Sequence, residues 1–509
     1  MGPEKFEDVK KLAASGDYKL IPLIRELMAD IATPVQVMRK LKNVSDHCFL
    51  LESVEDSRQW GRYSFLGSDP TMQITLKDHI LTVTDEAGKV SETRTDEPGK
   101  FIKELVDNNK SPRIEGLPTF TGGLVGYFAY DYMQYPEPSL HFKARNEYDF
   151  SDMDLMLFKN LIVFDNLRQK IMLIANVQVP CCSNGSTDYD KSTYDEQLKK
   201  EYELAHKKLD EMQDLIENGP AKSVEPGRLL EDIHPVFSKE EYCDKVKAVK
   251  QHIIDGDIFQ LVLSNPMEAR FEGSLFDTYR ILRTTNPSPY MFYFSGDTEI
   301  AGASPETLVK VEDGVIRTFP LAGTRPRGAT YEEDIALEKE LLADEKEKAE
   351  HNMLVDLGRN DLGRLCKFGT VEVEKYMEIE RYSHVMHIGS SVKGQLSEER
   401  SAIEAVDSVL PAGTLSGAPK IRACQIIDEL EGVKRGIYGG AIGYVDFTGN
   451  LDTCIAIRLA YKKSGKVFVR SGAGIVADSV PENEFVESVN KAKAVVNAIQ
   501  ASTEMEAGL

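Results

Sequence analysis

Two pairs of glutamates are the residues best placed by type and spacing to do chemistry. Glu347 and Glu350 lie three apart, as do Glu484 and Glu487. Residues three apart on a helix share a face, so each pair would set two carboxylates side by side. Glu350 falls on the apolar line of Met353, Leu354 and Leu357. A carboxylate on a core-facing line needs a partner, because burying it alone is costly or forces protonation. Glu484 and Glu487 flank a stripe of Phe485, Val489, Ala492, Val496 and Ile499, where a solvated acidic flank is the plainer reading. Upstream, Gly472-Ala473-Gly474 breaks a short strand running from Val467 to Arg470. Its glycines allow positive φ and leave amides uncovered, which suits a carboxylate or another oxyanion.

The elements that must hold these residues can be read in outline. Ser479-x-x-Glu482 is a capping box that starts the helix of the second pair near Val480. The first pair sits on a helix expected over 332–358, the longest candidate in the chain. Ser238-x-x-Glu241 caps a further helix, with Tyr242, Val246, Val249 and Ile253 facing inward and Gly256 ending it. Ile258 to Leu263 is a buried strand with one polar residue of interest, Gln260. From Gly439 to Arg470 a meander of three strands, broken at Thr448-Gly-Asn and Lys463-Ser-Gly, leads into the glycine segment.

Nearer the N-terminus, Leu20 to Asp30 reads as helix, His47 to Leu51 as strand, and Gly61 to Phe65 as the opening of the next strand. Residues 120–131 are rich in glycine and aromatics but lack the strand, GxGxxG and helix setting of a dinucleotide site. A similar string, residues 438–446, recurs late, as a faint internal duplication or a chance agreement of two glycine-rich strand entries would give. A polar loop at 181–192 and a charged helix at about 193–217 precede Asn218-Gly-Pro-Ala-Lys-Ser-Val-Glu-Pro-Gly227, the best domain boundary. Three regions follow: 1–180, a linker with the charged helix over 181–237, and 238–497.

Bulk composition narrows the function. A net charge of −22 over 509 residues argues against nucleic-acid or membrane-surface binding, since phosphates would be repelled. It leaves room for a small anion held by a local arginine or a metal ion. The seven cysteines are scattered without a CxxC or His-Cys ligand cluster, which fits reduced thiols in a cytosol. No apolar run reaches membrane-span length, the start lacks a signal-peptide core, and Phe6 stands where myristoylation expects Ser or Thr. A cytoplasmic protein is expected.

A series of motifs then makes the chain specific. In order come Ser304-Pro-Glu306, Pro320-Leu-Ala-Gly-Thr-Arg-Pro-Arg-Gly328 and the segment from Asp344 to Asp361. Ser383-His-Val-Met-His387, Pro411-Ala-Gly-Thr-Leu-Ser-Gly-Ala-Pro-Lys420 and Gly472-Ala-Gly-Ile-Val follow. This series resembles the chorismate-utilising enzymes, most closely the anthranilate synthase component I family. The catalytic resemblance covers roughly 238–497, and 1–180 resembles the family's regulatory, tryptophan-binding region. The resemblance implies an α+β fold with two large, mainly antiparallel β-sheets packed face to face and helices outside.

The resemblance also assigns roles. Chorismate is a small dicarboxylate, so an acidic protein needs a divalent cation to hold it. Mg²⁺, which prefers hard oxygen ligands and water, would lie between Glu347/Glu350 and Glu484/Glu487. Glu350 and Glu487 would be direct ligands, with Glu347 and Glu484 acting through water. Arg458 would clamp a carboxylate by a bidentate pair. Gly472, Ala473 and Gly474 would give backbone amides, and Tyr438, Gly323 and Thr324 further contacts. Glu306 and His387 match the acid/base positions near the ring hydroxyl, which must leave protonated. His384 is the bystander of its motif, with the reverse assignment left open. Thr414 and Gln260 complete the catalytic set. Relatives that add water carry Lys where Gln260 stands, and aminodeoxychorismate synthases carry Lys where Ala322 stands. Gln and Ala at these positions point to ammonia as nucleophile and anthranilate as product, with aminodeoxychorismate synthase as the alternative.

Leu50-Leu-Glu-Ser53 and Asn286-Pro-Ser-Pro-Tyr-Met291 resemble the segments that bind tryptophan as feedback inhibitor, through Ser53, Pro289, Tyr290 and Met291. A domain-packing seam is the plainer reading of both. No glutamine-hydrolysing module, with Gly-x-Cys-x-Gly and a later His-x-Glu, is present in the sequence. Ammonia would therefore come from a separate glutamine amidotransferase subunit in a hetero-oligomer, a heterotetramer in the family's pattern.

Overall fold

A computed structural model describes residues 3–53, 61–180, 191–221, 224–382 and 385–504. His384, Cys181 and Cys182 lie outside the described residues. The first half of the chain begins with α1 (Phe6–Ser15), β1 (Leu20–Met28), α2 (Pro34–Val44), β2 (Cys48–Glu52) and β3 (Tyr63–Ser68). It continues through β4 (Met72–Lys77), β5 (Ile80–Asp85), β6 (Val90–Arg94), α3 (Pro98–Asp107) and β7 (Gly123–Phe128). It closes with β8 (Met153–Phe158), β9 (Asn160–Asp165), β10 (Lys170–Gln178) and the long α4 (Lys191–Asn218).

The second half opens with the short β11 (Arg228–Leu229) and β12 (His234–Pro235), then α5 (Lys239–Ile254), β13 (Gln260–Glu272) and α6 (Phe276–Thr285). Next come β14 (Tyr290–Ser295), β15 (Glu299–Ser304), β16 (Thr307–Glu312), β17 (Val315–Thr318) and β18 (Leu321–Pro326). After these lie α7 (Tyr331–Ala343), α8 (Glu345–Gly363), β19 (Glu372–Arg381), β20 (Val385–Gln395) and α9 (Ala402–Val409). The chain ends with β21 (Gly417–Ala418), α10 (Lys420–Glu431), β22 (Ala441–Asp446), β23 (Leu451–Ile455), β24 (Leu459–Lys463), β25 (Lys466–Ile475) and α11 (Pro481–Glu504).

The strands form two antiparallel sheets. The first runs β1-β10-β9-β3-β2-β14-β15-β24-β25-β13-β11, and the second β18-β20-β17-β16-β23-β22-β7-β8-β4-β5-β6. Between them lies an aromatic core in which Phe49 of the first sheet meets Phe158 of the second at 4.7 Å. The outer face of the first sheet packs on α2, α4, α6 and α11, and that of the second on α3 and α9. Two sheets that are apolar on both faces thus bury one face against each other and the other beneath amphipathic helices.

Read outward from its middle, each sheet repeats itself. β2, β3, β9, β10 and β1 on one side match β14, β15, β24, β25 and β13 on the other, and β7, β8, β4, β5 and β6 match β22, β23, β16, β17 and β20. The matched strands keep the same chain order in both halves. The two similar glycine strings are the innermost pair of the second sheet, with Gly126 directly opposite Gly443. Glycine is required there, because a Cβ on Gly443 would lie 2.0 Å from the Asp452 carbonyl oxygen. The second half differs by its insertions: β18, α7, α8 and β19 between β17 and β20, and β21 with α10 between α9 and β22.

Several sequence expectations are corrected. Leu20–Met28 is a strand, paired over nine residues with β10 at the edge of the first sheet. Pro22 would break a helix but is tolerated at a sheet edge. The helix expected over 332–358 is two helices, broken at Asp344, whose carboxylate caps α8 by accepting from Lys346 N and Glu347 N. Neither is the longest, which is α4. The meander is split: β22 and β23 belong to the second sheet, β24 and β25 to the first. Gly472–Gly474 does not break its strand but continues β25 in extended conformation opposite β13. Gly472 must lack a side chain because a Cβ would lie 2.5 Å from the Leu263 carbonyl oxygen. The Ser479 hydroxyl accepts from Val476 N instead of closing the expected capping box. The Ser238 box forms in full.

Candidate active site

The split meander explains the placement of Arg458. The chain crosses from the second sheet to the first at Ala456-Ile457-Arg458, and Arg458 adopts a left-handed φ of 53° there. Its Nη1 donates to the Lys491 carbonyl of α11 at 2.6 Å. Among the described residues no carboxylate lies within ion-pair distance of it, and burial pulls its guanidinium below the ordinary arginine range. A half-buried guanidinium without a counter-ion is a receptor for an anion.

β25 passes beside it. Pairing of β25 with β24 ends at Val469, while pairing with β13 runs on to Ile475. The edge of β25 around Gly472, Ala473 and Gly474 is therefore free of β24. Ala473 is buried, Gly474 is exposed, and a Cβ on Gly474 would meet nothing within 4 Å. Tyr438, buried, feels the charge of Arg458. Gln260 is buried at the start of β13, where it pairs with Ala418.

The insertions supply the opposite wall. β18 pairs with β20 but slips register between Ala322 and Arg325, leaving Gly323 and Thr324 in a bulge. Bulges of this kind re-aim backbone and side chains. Gly323 has φ 65°, and its carbonyl accepts from His387 Nδ1 at 2.8 Å, with Thr324 Oγ1 at 3.1 Å from the same nitrogen. A carbonyl can only accept, so Nδ1 carries the proton and Nε2 a free lone pair. Burial, with help from Arg458, lowers the His387 pKa and keeps the ring neutral.

Glu306 sits between β15 and β16. Its Oε1 accepts from Thr414 Oγ1 at 3.1 Å, and its carboxyl is pushed up to about 7 by burial, against the Thr414 bond and the charge of Lys491. A pocket of about 40 Å³ opens beside it, lined also by Thr318, Leu357, Asp361 and Thr414. A half-buried carboxyl that still holds its proton near neutrality is suited to general-acid work.

The glutamate pairs lie on α8 and α11, and charge links them across the two helices: Glu350 feels Glu487, and Glu484 feels Lys346. Burial raises the Glu350 pKa, with Glu347 and Glu487 adding to it while Lys346 and Lys491 oppose. Burial likewise raises Glu484, against a hydrogen bond from Ser479, with Glu487 adding repulsion. The carboxylates are turned toward cations of the chain: Glu487 Oε1 lies 2.7 Å from Lys491 Nζ, and Glu347 Oε1 3.7 Å from Arg325 Nη1. Among the described residues no three His, Cys, Asp or Glu side chains are grouped closely enough to hold a metal ion. The chemistry of the donors nonetheless suits a hard divalent cation, since Glu350 is repelled by Glu347 and Glu487, and Glu484 by Glu487.

Lys491 is the residue that sequence reasoning missed. Its charge reaches Glu306, Glu350 and Glu484, and it pairs with Glu487. Its position, four after Glu487 on a helix, was the available signal. Part of the other expected cluster lies together. Met291 is paired with Glu52 across β14 and β2, which brings Ser53 beside Tyr290. Ser53 Oγ is buried without a hydrogen-bond partner, while Tyr290 donates to Asp452 at 2.8 Å.

Known proteins resemble this chain over most of its length. A family profile described as chorismate binding enzyme matches residues 46–497. Anthranilate synthase component 1 of Acetivibrio thermocellus is 44% identical over 501 residues, 98% of this chain and 99% of that protein. That of Aquifex aeolicus is 45% identical over 505 residues, covering 98% of each. The crystal structure of anthranilate synthase component I from Streptococcus pneumoniae superposes with a TM-score of 0.71 at 36% identity, covering 92% of this chain and 99% of that one. The chain belongs to the chorismate binding enzymes and, within them, to the anthranilate synthase component 1 family.

Proposed function

We propose that this chain converts chorismate and ammonia into anthranilate, pyruvate and water. The observation that supports the reading is the presence, around Lys491, of a half-buried protonatable acid, Glu306, a guanidinium without a carboxylate partner among the described residues, Arg458, and the carboxylates of Glu350 and Glu487. Arg458, with Tyr438 and the amides of Gly472 to Gly474, binds one substrate carboxylate. Glu347, Glu350, Glu484 and Glu487 would hold Mg²⁺, which when bound supplies the positive charge that receives the other carboxylate.

Ammonia adds to the ring carbon next to the one bearing the ring carboxylate, and the ammonium so formed loses one proton, which balances the proton that Glu306 gives up. Glu306 gives its proton to the departing ring hydroxyl, which leaves as water. The proton on the aminated carbon then passes to a base, for which the free Nε2 of His387 is suited, and the bond from ring to enolpyruvyl oxygen breaks. The enol takes up a proton to become pyruvate, and the ring becomes aromatic. Gln260 cannot serve as the base that water addition would require, and Ala322 cannot form a covalent adduct. Both favour ammonia and anthranilate.

Tryptophan as an end-product inhibitor, bound by Ser53, Pro289, Tyr290 and Met291, belongs to the same reading, supported by the buried unpaired hydroxyl of Ser53. So do a glutamine amidotransferase subunit as ammonia source in a hetero-oligomer, and a cytoplasmic location. The five described cysteines are free thiols, and no described helix is long and apolar enough to cross a membrane. Chorismate with ammonium and Mg²⁺, followed by anthranilate fluorescence, tests the reading. Fluorescence should rise with time; a non-fluorescent amine in its place would identify an aminodeoxychorismate synthase.

A further inference from the structure

A charge cluster lies buried directly behind the carboxylate-binding wall. Glu431 is 3% exposed, Arg435 2% and Arg470 4%. Arg435 donates to Glu431 through Nε at 2.9 Å and Nη2 at 2.6 Å, and Arg470 through Nη2 at 2.6 Å. Two guanidiniums thus share one carboxylate. Although burial opposes it, these two cations hold the Glu431 carboxyl below its ordinary range, so all three groups are ionised at neutral pH and their sum is one positive charge.

The remaining bonds of the cluster go to the segments that carry the site. Arg435 Nη1 donates to the carbonyl of Leu415, next to Thr414, and Nη2 to that of Val262, two residues beyond Gln260. Arg470 Nε donates to Ser264 Oγ, and Ser264 is the register partner of Gly472. The Arg435 Cζ lies 5.9 Å from the Tyr438 ring centroid. A cluster that only held these segments together would be cheapest as a neutral pair, since a buried excess charge is costly unless an opposite charge comes near. Lys434 lies nearby and pairs with the buried Asp152 at 3.0 Å and, at 3.4 Å, with Asp78, whose carboxylate faces solvent, so within the interior the excess stays with the two arginines. Asp131, which feels both Lys434 and Arg470, has its carboxyl pushed up to about 7 by burial.

We infer that Arg470 is a positioning residue for an anionic substrate: with Glu431 and Arg435 it keeps one positive charge beneath Tyr438 and Gly472, which adds to Arg458 in drawing a dicarboxylate into the site. The inference rests on the reading of the substrate as a dicarboxylate of the chorismate type. Arg470→Met removes the excess and leaves the Glu431–Arg435 pair intact, whereas Arg470→Lys keeps it. Charge acting through a poorly screened interior should make the chorismate KM of Arg470→Met about tenfold higher, with kcat within about twofold. Arg470→Lys should restore most of the loss.

Asp131→Asn, assayed at pH 8 where the wild-type carboxyl is largely ionised beside Lys434, Asp152 and Arg470, should shift KM the other way, downward. Thermal unfolding shows which variants are folded. If Arg470→Met does not fold, Arg470→Lys and Asp131→Asn decide. A wild-type KM in folded Arg470→Met, an Arg470→Lys variant as poor as Arg470→Met at equal melting temperature, or a raised KM in Asp131→Asn would overturn the inference. If the wild type binds chorismate by calorimetry yet forms no anthranilate, the proposed activity fails. The same variants then test the charge effect through Kd.

Discussion

Thr414 Oγ1 donates to Glu306 Oε1 at 3.1 Å, and this bond favours the ionised carboxylate that burial disfavours. Removing it in Thr414→Val should raise the Glu306 pKa above about 7. The acid form then persists to higher pH, so the basic limb of kcat for anthranilate formation moves upward. The profile should be measured at constant free ammonia, whose own titration would otherwise hide the shift. A limb that stays in place would separate Glu306 from the proton transfer.

The same carboxyl should weaken the fold. Burial raises the folded-state pKa of Glu306 from the ordinary glutamate value to about 7, so the folded chain binds more protons across that interval. Its contribution is complete below the unfolded pKa and is lost as pH rises through the folded one. Glu306→Gln should therefore raise the melting temperature at pH 8, by about 5 °C, and change it little at pH 4. Turnover should fall on the order of 100-fold or more, the usual contribution of a general acid. An inactive variant no more stable than wild type at pH 8 would contradict the assigned burial cost.

Arg458 offers a planar fork that lysine cannot reproduce. Arg458→Lys should raise the chorismate KM by about 100-fold, because one bidentate charge-assisted pair becomes a single contact. Its kcat should fall less. Equal KM values for the two proteins would remove Arg458 from substrate binding.

Much of this site could be read in the sequence, and the exceptions have physical causes. Glu306, His387, Thr414, Arg458 and the glutamates sit in short motifs whose residue types match the chemistry. How Arg458 is aimed could not be read, because it depends on a crossover between sheets that looks in sequence like an ordinary strand turn. The glycines at 472 and 474 suggested a break, yet Gly472 serves close strand approach in an unbroken strand. Asp344 divides one apparent helix in two by capping the second, which a helical apolar period does not reveal. Pro22 carried the signal that Leu20–Met28 is an edge strand, and the apolar pattern masked it. The faint glycine repeat proved to be the innermost strand pair of a chain whose halves share one strand order.

Ser53 Oγ is buried beside Met291 and Tyr290 without a partner, an arrangement that a bound polar group would complete. Ser53→Ala should weaken inhibition by tryptophan about tenfold while leaving turnover without tryptophan unchanged. Inhibition curves at fixed chorismate measure this, and an unaltered inhibition constant would remove Ser53 from the inhibitor site.

The glutamates of α8 and α11 carry the central claim, which anthranilate formation as a function of added Mg²⁺ tests most directly. Protein stripped with chelator should be inactive and recover with Mg²⁺. Glu350→Gln and Glu487→Gln should each lose at least about 100-fold in kcat/KM, and the double variant should be little worse than either, because both act on one ion. Full turnover by the chelated wild type, or losses that multiply as for independent sites, would contradict the account.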